Sequence, residues 1–371
     1  MRISDFVTAS VCLVILPMSA VAGHGDGTFL SELNRLSTVA STVPGNGDIN
    51  PYGVAVVPVS TGALAANSIL VSNFNNSSNL QGTGTTIVQV SPTGNVTGFA
   101  KIDPTSLPAG ACPGGVGFTT ALVALQSGFV IVGSLPTKDG MSASAQAGCL
   151  IVLNNMGQFV EAFSGNGING PWDMTALDMN TTVVLFVTNV LNGTLLANGA
   201  VVSQGSVLRI VLSIPIGGTP IMMTPTTVIA SSFEERTDPN ALVIGPTGLG
   251  LASDGTLFVA DTLRNRIASI PNAVSRMTDA VDGTTVTEGH SLKQPLGLAI
   301  APNGDILTVN AGDGLMVETT RDGRNAGSRF VDVSHSKNGA GTLFGLAIAP
   351  GGDGVYFVDD GNNTLNLLTD K

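Results

Sequence analysis

The sequence predicts an all-β fold, a six-bladed β-propeller whose last blade is closed by an N-terminal strand. Three observations carry this expectation. Six copies of a glycine-anchored strand pattern run through the chain, and Val-, Ile-, Leu- and Thr-rich runs alternate with Gly, Asn and Pro turns. The sixth copy also lacks the outer strand that a four-stranded blade needs.

The clearest copies are C-terminal. Pro246-Thr-Gly-Leu-Gly-Leu-Ala252 precedes Thr256-Leu-Phe-Val-Ala-Asp261, and Pro295-Leu-Gly-Leu-Ala-Ile-Ala301 precedes Asp305-Ile-Leu-Thr-Val-Asn310. Phe344-Gly-Leu-Ala-Ile-Ala-Pro350 precedes Gly354-Val-Tyr-Phe-Val-Asp359. Weaker copies begin at Asn50-Pro-Tyr-Gly53, Gly115-Val-Gly-Phe118 and Gly170-Pro-Trp-Asp173. Aligning Gly53, Gly117, Asp173, Gly248, Gly297 and Gly345 gives spacings of 64, 56, 75, 49 and 48 residues, so the earlier repeats carry insertions between strands. Turns such as Ser91-Pro-Thr-Gly94, Ser253-Asp-Gly255 and Pro302-Asn-Gly304 supply the positive φ of tight hairpins. After residue 344 the chain holds three strands and ends. The alternating stretch 36–43 is expected to supply the fourth, pairing with residues 364–368 and removing an open sheet edge.

The first 22 residues read as an export signal: Arg2, an apolar run over residues 6–18, and the small-residue site Ala20-Val-Ala22. The propeller is expected to occupy 23–371, in a secreted or periplasmic protein, and no stretch is long and apolar enough to span a membrane. Hydrophobic residues make up 43% of the chain, charged residues 11%, and there are 47 glycines, which is turn-rich β composition rather than disorder. The net charge of −11 without a Lys/Arg cluster argues against nucleic acid and anionic membranes as partners. Between residues 49 and 230 only eight charged residues occur, so that half of the ring has a surface of Asn, Thr, Ser and Gly. Cys112 and Cys149 remain after signal removal. An even pair in an exported chain reads as a disulfide, with two buried thiols as the alternative.

Pro-x-Gly-Leu-Ala, a strand ending in Ala-Asp, and Asn265-Arg-Ile267 together resemble NHL repeats, most closely over residues 248–270. The resemblance implies a secreted bacterial NHL-repeat propeller, an architecture similar to the sugar-lactonase and strictosidine-synthase-like six-bladed propellers. In those lactonases a divalent ion held by Glu, Asn and Asp polarises a lactone carbonyl. The acidic residue they use at the start of the first blade is replaced here by Asn50-Pro51-Tyr52.

Candidate site residues follow from the repeat. The second strand of each blade ends in a polar residue: Asn73, Ser134, Asn189, Asp261, Asn310 and Asp359. A ligand or metal site is expected at the channel mouth on Asn73, Asn189, Asp261, Asn310 and Asp359, whose oxygens suit Ca²⁺. The competing reading makes them turn formers bonded to nearby backbone, with Asp261, Asn265 and Arg266 structural. Trp172 aligns with Tyr52 and Phe344 and is expected to pack near the channel mouth, with stacking on a sugar or plugging the channel as the alternative. His24, His290 and His335 fall in the tail and in connections, which is poor support for histidine chemistry. No Gly-x-Ser-x-Gly elbow occurs. Three functional readings stay open: a binding module using the loops of one face for a protein, glycan or small molecule; a Ca-dependent, lactonase-like hydrolase or lyase; and a structural part of an envelope assembly.

Overall fold

A computed structural model describes residues 27–334 and 341–370, so the expected export signal, His24 and His335 lie outside the described residues. Six antiparallel sheets surround one axis as the six blades of a propeller. The inner strands are Ile49–Val56, Phe118–Ala124, Pro171–Asp178, Pro246–Leu251, Pro295–Ile300 and Leu343–Ile348. Each pairs on one side only, with the second strand of its own blade, and leaves its other edge to the axis. Five blades have four strands. Blade three adds the short strands Ile221–Met222 and Leu242–Ile244, which account for its 75-residue repeat.

The second strands are buried along their length and mostly apolar because other blades cover both of their faces. Ile69–Asn75, Val130–Ser134, Leu257–Asp261, Ile306–Asn310 and Gly354–Asp359 are buried at every residue. The core therefore lies between blades rather than within them. Leu70, Ile87, Phe118 and Val132 join blades one and two, and Phe186, Phe233, Val259 and Ile270 join blades three and four. Leu307, Met316, Phe357 and Leu368 join blades five and six.

The repeated glycine marks a β-bulge. Each inner strand shifts register once, between Pro51 and Val54, Phe118 and Leu122, Pro171 and Met174, Pro246 and Leu249, Pro295 and Leu298, and Leu343 and Leu346. At that bulge the backbone meets the next blade. A Cβ on Gly248 would lie 2.2 Å from Leu296 O, one on Gly297 2.2 Å from Phe344 O, and one on Gly345 2.3 Å from Tyr52 O. Only glycine fits so close an approach. In blade two Gly117 precedes the inner strand, and Thr119, Thr120 and Ala121 occupy the bulge instead.

Closure is as the missing strand requires. Arg35–Ser41 lies antiparallel to Thr364–Thr369, with Leu36 opposite Leu368, and forms the outer strand of blade six. The segment before it is clamped by a buried carboxylate: Glu318 accepts from Phe29 N at 2.9 Å and Leu30 N at 2.6 Å. Cys112 and Cys149 are bonded, with Cα atoms 5.5 Å apart, tying the entry to blade two to its third strand.

Two outcomes are expected. Replacing both cysteines by serine removes a cross-link over 37 residues and lowers unfolding free energy, measured in urea, by about 3–4 kcal/mol. Gly297→Ala places a methyl against Phe344 O and costs more than about 2 kcal/mol in the same assay, whereas the exposed Ser328→Ala control changes stability by less than about 1 kcal/mol.

Candidate functional site in the central channel

The inner strands all begin at one end of the axis, and that end is filled. Tyr52 stacks on Phe344 at 3.8 Å and on Phe74 at 4.5 Å between ring centroids. Trp172 meets Tyr52 and Phe74 edge-on at 6.0 and 5.7 Å. All four rings are buried, so the alignment of Tyr52, Trp172 and Phe344 in the repeat produces an aromatic plug. Toward the opposite end the side chains shrink to Val56, Ala124, Ala176, Leu251 and Ala347, and a cavity of about 370 Å³ opens. That volume lies in the range of small-ligand sites.

The unpaired edges of the inner strands give this cavity a polar wall made of backbone amide and carbonyl groups, which need water or a ligand as partner. Side-chain polarity comes from Thr120, Thr175, Thr247, Asp173 and Asp178. Most of these are already engaged. Thr120 Oγ1 donates to Trp172 O, and Thr247 Oγ1 lies 2.9 Å from Thr262 Oγ1. Asp178 accepts from Gln126 N at 2.6 Å and Asn180 N at 2.7 Å, holding the turns at the open mouth.

Asp173 differs. It occupies the bulge position that is glycine in blades one, four, five and six, so its carboxyl stands where those blades have no side chain. Its Oδ2 accepts from Leu249 N of blade four at 3.0 Å. Burial raises its pKa to about 7 against the lowering effect of the Met174 and Leu249 amides, and no cation offsets it. At neutral pH the group is divided between a carboxylic acid, which donates and accepts, and a carboxylate. The sequence signal for it was the single departure in the glycine column.

The five residues expected from the strand ends are all fully buried, and none lines the cavity. Each binds its own blade. Asn73 Nδ2 donates to Thr42 O at 3.1 Å, and Asn310 Nδ2 donates to Ser291 O at 2.7 Å. Asn189 Oδ1 accepts from Asn169 N at 2.9 Å. Asp359 accepts from Val333 N, Ser334 N and Gly361 N at 2.9–3.0 Å. Asp261 Oδ2 takes Arg266 Nε at 3.0 Å and Nη2 at 2.6 Å; burial pushes its pKa up while Arg266 pulls it back. Asn265 Oδ1 accepts from Gln294 N at 2.7 Å. In blades one, three, five and six the strand-end residue pins the segment leading into the inner strand, as Ser134 does in blade two through Gly117 N at 2.9 Å.

This donor set does not fit a shared Ca²⁺. Asn73 Oδ1, Asp261 Oδ1 and Asn310 Oδ1 lack protein partners, but blades one and four stand on opposite sides of the ring, beyond the reach of one ion. Among the described residues no group of three or more His, Cys, Asp and Glu side chains is placed to hold a metal. His290 is exposed, outside the channel.

No family model and no curated protein matches the chain. Solved structures do. A gluconolactonase from Xanthomonas campestris is 13% identical with a TM-score of 0.55, over 90% of this chain and 89% of that one. Regucalcin from Agrobacterium tumefaciens, described as a calcium-binding protein, is 13% identical with a TM-score of 0.52, over 88% and 92%. A luciferin-regenerating enzyme is 10% identical with a TM-score of 0.52, over 90% and 95%. At these identities the likeness is one of fold: a six-bladed propeller similar to those of gluconolactonase and regucalcin. Among the described residues no helix is long and apolar enough to cross a membrane.

Asp173 makes a signed prediction. Its folded pKa lies above the unfolded value, so the folded state holds the proton more tightly between the ordinary carboxylate range and about pH 7. Its contribution therefore falls as pH rises through that window and stays low above it. Asp173→Asn keeps an acceptor for Leu249 N and removes the charge. Relative to wild type it should gain stability from pH 4 to 8 by up to about 4 kcal/mol, less any relief by channel water. Denaturant melts of both proteins across that range check it, and parallel curves would refute a raised pKa.

Proposed function

We propose that this chain is an exported binding module that takes a small, neutral, polar molecule into its channel from the open face. The observation that carries this reading is the blind, backbone-lined cavity with Asp173 between plug and mouth. Backbone amides and carbonyls of six strands recognise hydroxyl, amide or ester groups. A ligand bringing a full charge would lose its hydration with no opposite charge in the cavity beyond two carboxyls, which disfavours anions in particular. A sugar or sugar-derived ring has the size and the hydrogen-bonding surface that the cavity favours.

One observation favours a second reading, a hydrolase or lyase. A carboxyl titrating near neutrality in a cleft is suited to general acid–base work. The fold shared with gluconolactonase agrees with that reading without requiring it.

Calorimetry with neutral sugars and sugar lactones tests both. Wild type should bind at least one member, and Ala176→Phe, which fills the cavity, should weaken that binding at least about tenfold. Equal binding by Ala176→Phe would refute the channel site. Lactone turnover by wild type that is lost in Asp173→Asn would select the second reading.

A further inference from the structure

The open face of the ring is apolar on one side. In an antiparallel blade the first and third strands end on the same face, so the turns after both surround the mouth of the channel. On blades two to four these turns carry Met156, Met179, Ile216, Met223, Met277 and Val281, each more than half exposed. Ile216 is fully exposed at the tip of the blade-three insertion, with a relative exposure of 101%. Between Arg209 and Glu234 the chain has no charged residue. The insertion lies against the turn beside the cavity wall: Ile214 donates to Thr181 O at 2.8 Å, and Met179 directly follows the cavity residue Asp178. On the same face blades four and five carry charged residues, among them the ion pairs Arg321–Asp254 and Arg324–Asp322, with Arg276 and Asp279 in the turn that holds Met277 and Val281.

Exposed apolar side chains clustered in this way mark a contact surface, and methionines adapt their shape to varied apolar partners. Its blade-three part adjoins the cavity mouth, because Met179 follows the lining residue Asp178 and the Ile214–Thr181 bond holds the insertion on the same turn. The geometry points to an amphiphilic small molecule as the ligand: a neutral, hydrogen-bonding head in the channel, as in the function proposed above, and an alkyl or acyl tail across the blade-three rim. The inference rests on that channel reading. It adds the class of ligand and a second set of residues, Met179, Ile216 and Met223, that would set preference by tail length. The position of Met179 and the insertion next to the cavity lining is what favours this occupant over a protein surface or a second copy of the chain.

The test uses ethyl, hexyl and octyl glucoside below their micelle-forming concentrations, titrated into the wild-type protein and into the Met179→Ser, Ile216→Ser, Met223→Ser variant. These three side chains are exposed, so the variant should fold, as a thermal melt will confirm. Wild type should bind the series more tightly with length, by roughly three- to tenfold from hexyl to octyl. The variant should keep ethyl glucoside affinity and lose the dependence on length. A wild type indifferent to length, or a variant with the same length dependence, would overturn the inference while leaving ethyl glucoside binding to uphold the channel. Failure of all three glucosides to bind would overturn it together with the channel reading. Sedimentation completes the test: a wild-type dimer that the triple variant abolishes would assign the rim to a second copy and overturn the tail site.

Discussion

The close approach of neighbouring inner strands at one bulge per blade is the constraint on which this ring depends. Six strands that converge on an axis leave little room beside their bulges, and at Gly248, Gly297 and Gly345 even a methyl group would collide with the carbonyl of the next blade. In the first four blades hydroxyls tie the same region together. Ser72 Oγ donates to Thr119 O at 2.7 Å, Thr120 Oγ1 to Trp172 O, Thr188 Oγ1 to Thr247 O at 3.1 Å, and Thr262 Oγ1 to Pro295 O at 2.7 Å. Each bond crosses from one blade to the next. The ring is thus held at its inner rim by directional contacts and farther out by apolar clusters between blades, with the N-terminal strand sealing the last sheet.

That arrangement dictates the character of the channel. Inner strands with a free edge present peptide groups that cannot stay unpaired without cost. At the plugged end, four aromatic rings take the space that water would need. Beyond the plug the cavity stays open, and its chemistry is dominated by backbone rather than by side chains. One carboxyl placed in such surroundings, with an amide as its hydrogen-bond donor and no cation, is shifted strongly. The Asp261–Arg266 pair shows the contrast: a fully buried carboxyl whose upward shift is countered by a guanidinium and used to lock a blade.

Architecture was legible because the repeat reports on packing directly. The glycine column and the mostly apolar second strands reflect contacts that recur around the ring, and the missing outer strand reflects the one closure that blade six needs. The candidate site was less legible. Asn73, Asn189, Asp261, Asn310 and Asp359 are regular in the repeat because every blade must fix the turns and segments next to its strands, so their periodicity measured structure. A site used once is an exception to the repeat, and Asp173 among the glycines was that exception. The direction of the channel, plugged at one end and open at the other, was only half legible. Tyr52, Trp172 and Phe344 align in sequence, but that the rings of Tyr52 and Trp172 meet Phe74 from a second strand is a matter of tertiary geometry.

The same logic explains why the two halves of the ring differ. Blades four to six follow short repeats of 49 and 48 residues, and their surface carries charged residues, among them the ion pairs Arg321–Asp254 and Arg324–Asp322. Blades one to three carry the insertions, and the surface there is almost free of charge. Insertions in a propeller must leave the sheets at the strand ends, since the blades are covered on both faces by their neighbours. The insertion in blade three therefore emerges on the open face, and its apolar residues reach solvent beside the channel. Exposed Ile216 and Met223 do nothing for the core that the six blades have already closed, so their placement is explained by what meets that face rather than by what holds the fold.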